Sequence, residues 1–226
     1  MAQYNRPPKS KAPKPDEFVS FFDHVVRYFL VHQKKFYVLI GAVLLGFGGY
    51  ALQRYLVGKK MHDLALDYMK AEQAQGAEAT GAWEALAKQD PPKPLRDVVA
   101  LQLGGALAAQ AQWEPSAQSF QKGAESKSFV LYSVARLAQG VALENAKKYP
   151  EALAVYQEIA DLKDDPFRYR GKLGMARVFL AQGQPTEAEN ILLQMLVKTS
   201  DAPDPVKSAA LGQLVAMKAK QAPETN

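Results

Sequence analysis

The sequence predicts an all-α protein: an N-terminal interfacial helix and one transmembrane helix, then an α-solenoid of helical hairpins. Three observations carry this expectation. An apolar run from Phe36 to Gln53 contains no charged residue. The residues from Met61 onward are rich in Ala, Leu, Gln and Glu, with apolar positions at helical spacing. Small residues recur at a fixed interval of 36, as Gly104, Gly140, Ala176 and Gly212.

Taken in order, residues 1–15 (MAQYNRPPKSKAPKP) are a Pro- and Lys-rich tail, expected to be disordered, cytoplasmic and attracted to anionic lipid. Residues 16–35 follow as an amphipathic juxtamembrane helix capped by Asp16, with Phe18, Phe22, Val25 and Phe29 on one face and Ser20, Asp23, His24 and Arg27 opposite. Such a helix lies in the membrane interface, docks on a partner, or simply extends the span.

The transmembrane helix is assigned to residues 36–57, roughly 33 Å at about 1.5 Å per residue, close to the hydrocarbon thickness of a bilayer. Tyr37, Tyr50 and Tyr55 suit the interfacial zones, and Arg54 can snorkel to the headgroups. Gly49 and Ala51 could imitate a signal-peptidase site, but the long preceding segment favours an uncleaved anchor. Basic residues number seven before the span (Arg6, Lys9, Lys11, Lys14, Arg27, Lys34, Lys35) and four soon after (Arg54, Lys59, Lys60, Lys70), which favours an N-terminus in the cytoplasm. Ala42, Gly46 and Gly49 share a stripe that would let another membrane helix approach closely.

The third region, residues 61–226, is the solenoid. Three residues after each small residue come Leu107, Leu143, Phe179 and Val215. Twelve after the first three come Ser116, Ala152 and Ala188, and sixteen after come Phe120, Tyr156 and Leu192. Small side chains on both helices of a hairpin permit a close crossing, and the bulky one plugs the gap toward the next hairpin. This pattern, over about residues 96–217, resembles the tetratricopeptide repeat. Pro115, Gly183 and Pro185 sit near turns within hairpins, and the two residues beyond the commonest period belong in the loops between hairpins. Residues 61–75 and 79–89 form an earlier, degenerate hairpin closed by QDPPKP, and Ser208–Lys220 opens a fourth repeat.

The resemblance implies a concave groove lined by first helices. Carried through the repeat phase, it places Val98, Leu101, Val134, Leu137, Val141, Arg170, Leu173, Arg177, Leu180 and Met217 on or near a candidate protein-binding surface, with Glu144 as acidic counterweight. These apolar residues could instead pack between hairpins. Some tetratricopeptide co-chaperones grip a terminal carboxylate with Lys and Asn. Here those positions carry Leu101 and Gly105, Leu137 and Val141, or Leu173 and Arg177, so that clamp is not expected.

Composition narrows the chemistry. The formal charge of +5 is uneven: residues 1–60 carry ten basic and three acidic residues, a net of +7, whereas residues 61–226 carry eighteen and twenty, a net of −2. A nucleic-acid footprint on the main domain is therefore not expected. No cysteine is present, and His24, His32 and His62 form no ligand-spaced group. With no nucleophile set and no phosphate loop, no enzymatic activity, cofactor, metal or small-molecule substrate is expected.

The order of basic tail, aromatic-rich helix, single span (DEFVSFFDHVVRYFLVHQKKFYVLIGAVLLGFGGYALQRY) and helical repeats resembles YfgM-type proteins of the bacterial envelope. That resemblance implies an inner-membrane protein with its repeats in the periplasm, associated with the SecYEG translocon and a PpiD-like membrane-anchored chaperone. The expected function is a non-enzymatic adaptor that holds a chaperone near emerging secreted chains. The alternative is a scaffold subunit of another envelope machine, for division, secretion or motility.

Overall fold

The computed structural model describes residues 23, 25–28, 30–93, 95–127, 130–197 and 200–221, all-helical apart from turns and loops. The tail 1–15 and most of the juxtamembrane helix, including Phe18, Phe22 and Phe29, lie outside the described residues; residues 25–28 and 30–31 are helical. Two compact units divide at Met61 and His62.

In the first unit lies most of α1 (Gln33–Gln73). Its most apolar window has no residue buried, so it is not the core helix of a packed fold, and it is long and apolar enough to cross a membrane. Val38, Leu39, Val43, Leu44, Leu45 and Phe47 are all exposed. The helix does not stop at Lys59 and Lys60, because Gly58 is a weak breaker and no proline intervenes before Gln73.

The second unit is built from the end of α1, α2 (Gly76–Lys88), and then pairs: α3 (Leu95–Ala109) with α4 (Trp113–Gly123), α5 (Tyr132–Asn145) with α6 (Tyr149–Ala160), α7 (Arg168–Ala181) with α8 (Pro185–Leu196), and α9 (Asp204–Gln221). Each second helix packs on its own first helix and on the next one. The early hairpin forms as expected: Leu64, Ala71, Trp83, Leu86 and Val99 share one core, with Tyr68 edge-on to Trp83. Acidic residues occupy the first turns of α2, α3, α4, α6, α8 and α9, where the helix dipole favours them. Proline at the start of α6 and α8 removes an amide that would lack a helical partner anyway.

The spacing of 36 has a direct structural cause. A Cβ on Gly104 would stand 2.6 Å from the Phe120 ring, and one on Gly140 would stand 2.5 Å from the Tyr156 ring. Tyr156 also reaches the next hairpin, where a Cβ on Gly174 would lie 2.7 Å from its ring. This is the plug expected from the sequence. The third hairpin makes the crossing with Ala176 and Leu192, both fully buried in one cluster. Ser116, the polar member of the small positions, donates its hydroxyl to the Gly104 carbonyl at 2.8 Å.

Turns within hairpins span three residues and repeat in detail. Ala111, Lys147 and Gly183, again 36 apart, adopt positive φ of 55°, 59° and 74°. The following amides, of Gln112, Lys148 and Gln184, donate to the carbonyls of Leu107, Leu143 and Phe179, a Schellman ending for each first helix. Loops between hairpins are longer, as the extra period requires. They are tied down by aspartates 36 apart: Asp165 accepts from the Ser133 hydroxyl, and Asp201 from the Tyr169 hydroxyl and Arg168.

Candidate protein-binding groove

The first helices α5, α7 and α9 lie side by side and touch, so their faces away from the second helices form one surface. Between α7, the turn at 183–185 and α9, that surface sinks into a cavity of about 430 Å³. Arg177, Leu180 and Met217, all expected on the groove, line it together. Gln213, Ala216 and Lys220 complete the wall. Sequence reasoning missed these three, although Gln213 and Lys220, four before and three after Met217, share its face. One side-chain oxygen of Gln213 is buried without a hydrogen-bond partner.

Arg177 is not a free cation. Its guanidinium holds the Glu144 carboxylate through two bonds of 3.1 and 2.9 Å, and donates to the Tyr156 hydroxyl at 3.1 Å. Tyr156 in turn donates to Glu144 at 2.9 Å. Burial opposes the Arg177 charge, but Glu144 and Tyr156 outweigh it and raise the guanidinium pKa. Burial, and then the Glu144 charge, push the Tyr156 phenol well above its usual range. The triad joins the second and third hairpins at the point where Tyr156 fills the crossing. Glu144, expected as a counterweight, is the partner that neutralises Arg177.

A second polar cluster joins α5 and α6 within the second hairpin. Glu158 accepts from Tyr132 and from Arg136, whose guanidinium also reaches the Gln139 side-chain oxygen at 2.5 Å. Burial works against the Glu158 charge, but the Tyr132 and Arg136 bonds prevail and its pKa is lowered.

The remaining expected groove residues divide by burial. Leu173 and Met217 are buried in the core shared by α7, α8 and α9, so they floor the surface and do not face solvent. Adjacent first helices lean on each other, and long side chains at these phases pack sideways. Leu101 and Leu137 are half-buried against the cluster around Tyr156, and Val98 and Val134 are half-buried as well. Val141 and Arg170 are exposed, with the Arg170 guanidinium 5.6 Å from the Phe167 ring centroid. In the first unit, Ala42, Gly46 and Gly49 are exposed on α1, and a Cβ on Gly46 or Gly49 would meet nothing within 4 Å.

Among the described residues, no group of His, Cys, Asp and Glu has metal-binding geometry. The family model described as tetratricopeptide repeat matches residues 143–213, from the end of α5 into α9. No curated protein matches the chain. The chain thus carries a tetratricopeptide repeat region, of a type that generally binds protein partners, within an all-helical stack that continues before it.

Proposed function

We propose that the protein is a membrane-anchored, non-enzymatic adaptor whose helical repeats bind a protein partner. The observation that carries this reading is the joint presence of a helix with an unburied apolar stretch long enough to cross a membrane and a repeat region with a lined cavity. An apolar surface as long as that of α1 is costly in water and needs lipid or protein around it. Tethering would confine the partner near the membrane and raise its effective concentration there.

The finer reading rests on the likeness to YfgM-type proteins and on the seven-to-four charge count. It puts the N-terminus in the cytoplasm of a bacterial inner membrane and the repeats in the periplasm, beside SecYEG and a PpiD-like chaperone. The groove supplies the partner surface through Val141, Arg170, Arg177 and Leu180, with the cavity at its end. The stripe Ala42, Gly46 and Gly49 supplies a contact for a neighbouring membrane helix.

Photo-crosslinking from position 141 in native membranes tests the partner. Adducts with translocon or chaperone subunits are expected; stoichiometric recovery with another envelope machine would replace this reading with the scaffold alternative. Extraction by carbonate would remove the anchor from it. Protease accessibility in spheroplasts reports the side on which the repeats lie, and Gly46→Leu should weaken co-purification with a membrane partner.

A further inference from the structure

Residues of α2, α3 and α4 enclose a cavity of about 230 Å³. The repeat explains why it exists. Position 100 is Ala, where the next two hairpins carry Arg136 and Lys172 at the same phase. Position 119 is Ser, where they carry Val155 and Ile191. In the second hairpin the long arm is used inside the fold: the Arg136 guanidinium meets Glu158 of α6 and the Gln139 side chain. In the third, the Lys172 ammonium lies 5.5 Å from the Tyr169 ring centroid. In the first, two short side chains leave the space unfilled.

The wall that remains has a definite chemistry. Pro91, Val99 and Leu103 give it an apolar floor. The Ser119 side chain, only 5% exposed, lines it, and its hydroxyl has no hydrogen-bond partner among the described residues. Few polar groups are buried without one. Arg96, Lys122 and Glu125 supply the charges. Arg96 is committed to Asp90 at 2.8 Å and to the Pro91 carbonyl at 3.2 Å. Lys122 and Glu125 have no ion-pair partner among the described residues. Lys122 stands at the phase of Glu158, 36 residues earlier, so the charge that Glu158 offers to an arm from α5 is here reversed. Glu125 corresponds to Asp161, which lies past the end of α6 and accepts from Gln157, not from the arm.

We propose that this cavity binds a small organic carboxylate whose apolar body is an aromatic ring or a branched chain. The floor takes the body, the Lys122 ammonium takes the carboxylate, and the Ser119 hydroxyl offers a hydrogen bond inside. The volume exceeds the about 150 Å³ that admits a benzene ring, so a ring with a short acid-bearing chain fits. A cationic arm, the occupant at this phase in the other hairpins, is turned away by Lys122. The site shares no residue with the cavity between α7 and α9 and does not depend on that cavity binding anything.

The test titrates the full chain in detergent micelles with hydrocinnamate and follows the methyl resonances of isotope-labelled Val and Leu. Val99 and Leu103 should shift saturably, with a dissociation constant of about 1 mM for so small a ligand. The uncharged hydrocinnamamide should bind about two- to fivefold more weakly, the effect of losing one exposed ion pair, and Lys122→Ala should weaken the carboxylate by the same factor. Lys122→Glu should reverse the order, so that phenylpropylamine binds more tightly than the carboxylate. Ala100→Arg with Lys122→Glu, which copies the second hairpin, should abolish the shifts while circular dichroism shows the helices intact. Should that double variant fail to fold, Lys122→Ala and Lys122→Glu, at an exposed residue, still decide the matter. No saturable shift at Val99 and Leu103, the result for a cavity that holds water only, overturns the proposal. So do shifts spread evenly over exposed methyls, the mark of partition into the micelle, and equal affinity for acid, amide and amine. A preference of the unaltered chain for the amine would make Glu125 the recognising group and overturn it too.

Discussion

Replacing Gly140 by Ala tests whether the crossing of α5 and α6 is set by the Tyr156 ring. The added Cβ would stand 2.5 Å from that ring, against about 3.5–4.0 Å for carbon atoms in contact. The ring must therefore give by about 1 Å. It has no room: Tyr156 is 1% exposed, its hydroxyl is held by Glu144 and Arg177, and on the far side Gly174 has the same close approach. Overpacking of this kind costs about 1–3 kcal/mol, offset by the about 0.5–1 kcal/mol that Ala gains over Gly inside a helix. The net loss should be about 1–2 kcal/mol. For a unit of this size that lowers Tm by about 2–8 °C, read by circular dichroism of the full chain in micelles. The third hairpin shows the remedy, since it pairs Ala176 with Leu192. In a Tyr156→Leu background, Gly140→Ala should accordingly be neutral or stabilising, a coupling of at least about 1 kcal/mol in the double-mutant cycle. An equal cost of Gly140→Ala in both backgrounds would refute the plug.

The same helical position predicts the opposite sign where the plug is absent. Gly212→Ala meets nothing within 4 Å and should stabilise by about 0.5–1 kcal/mol, measured as a higher urea midpoint. In the turns, Gly183→Ala should cost about 1 kcal/mol because φ is 74°, while Ala111→Gly and Lys147→Gly, at φ of 55° and 59°, should cost nothing or gain up to about 1 kcal/mol. Glu158 has a folded pKa below the usual 4.5, so its contribution is fully present above that pH and is lost as pH falls through the lowered value. Glu158→Gln should therefore destabilise by no more than about 1 kcal/mol at pH 7, read as a lower urea midpoint, and leave the midpoint unchanged near pH 2.

Much of the fold was legible because it is written in side-chain size. Gly104, Gly140, Ala176 and Gly212 mark the crossings, and Phe120, Tyr156 and Leu192 mark what fills them. A single sequence reveals that period without any structure, and the apolar run from Phe36 needs only its length and lack of charge. The groove was less legible. Helical phase put Leu173 and Met217 on it, but whether a side chain at that phase faces solvent depends on how far neighbouring first helices lean together. Arg177 and Glu144 were recognised as opposite charges near one surface. That they close a triad with Tyr156 depends on angles between hairpins, which spacing does not encode. Gln213 and Lys220 were missed because attention followed apolar residues, and the cavity has a mixed wall.

The bends centred on Ala111, Lys147 and Gly183 share one backbone shape although three unlike residues occupy them. Shape there is drawn by main-chain amides and carbonyls, so a side chain at these sites keeps the bend and costs only the about 1 kcal/mol of its positive φ. Their length is another matter. An extra residue in any bend would re-aim every hairpin downstream of it, whereas an extra residue in a flanking strand of loop could be absorbed locally. Evolution is thus free to respell these corners but not to lengthen them.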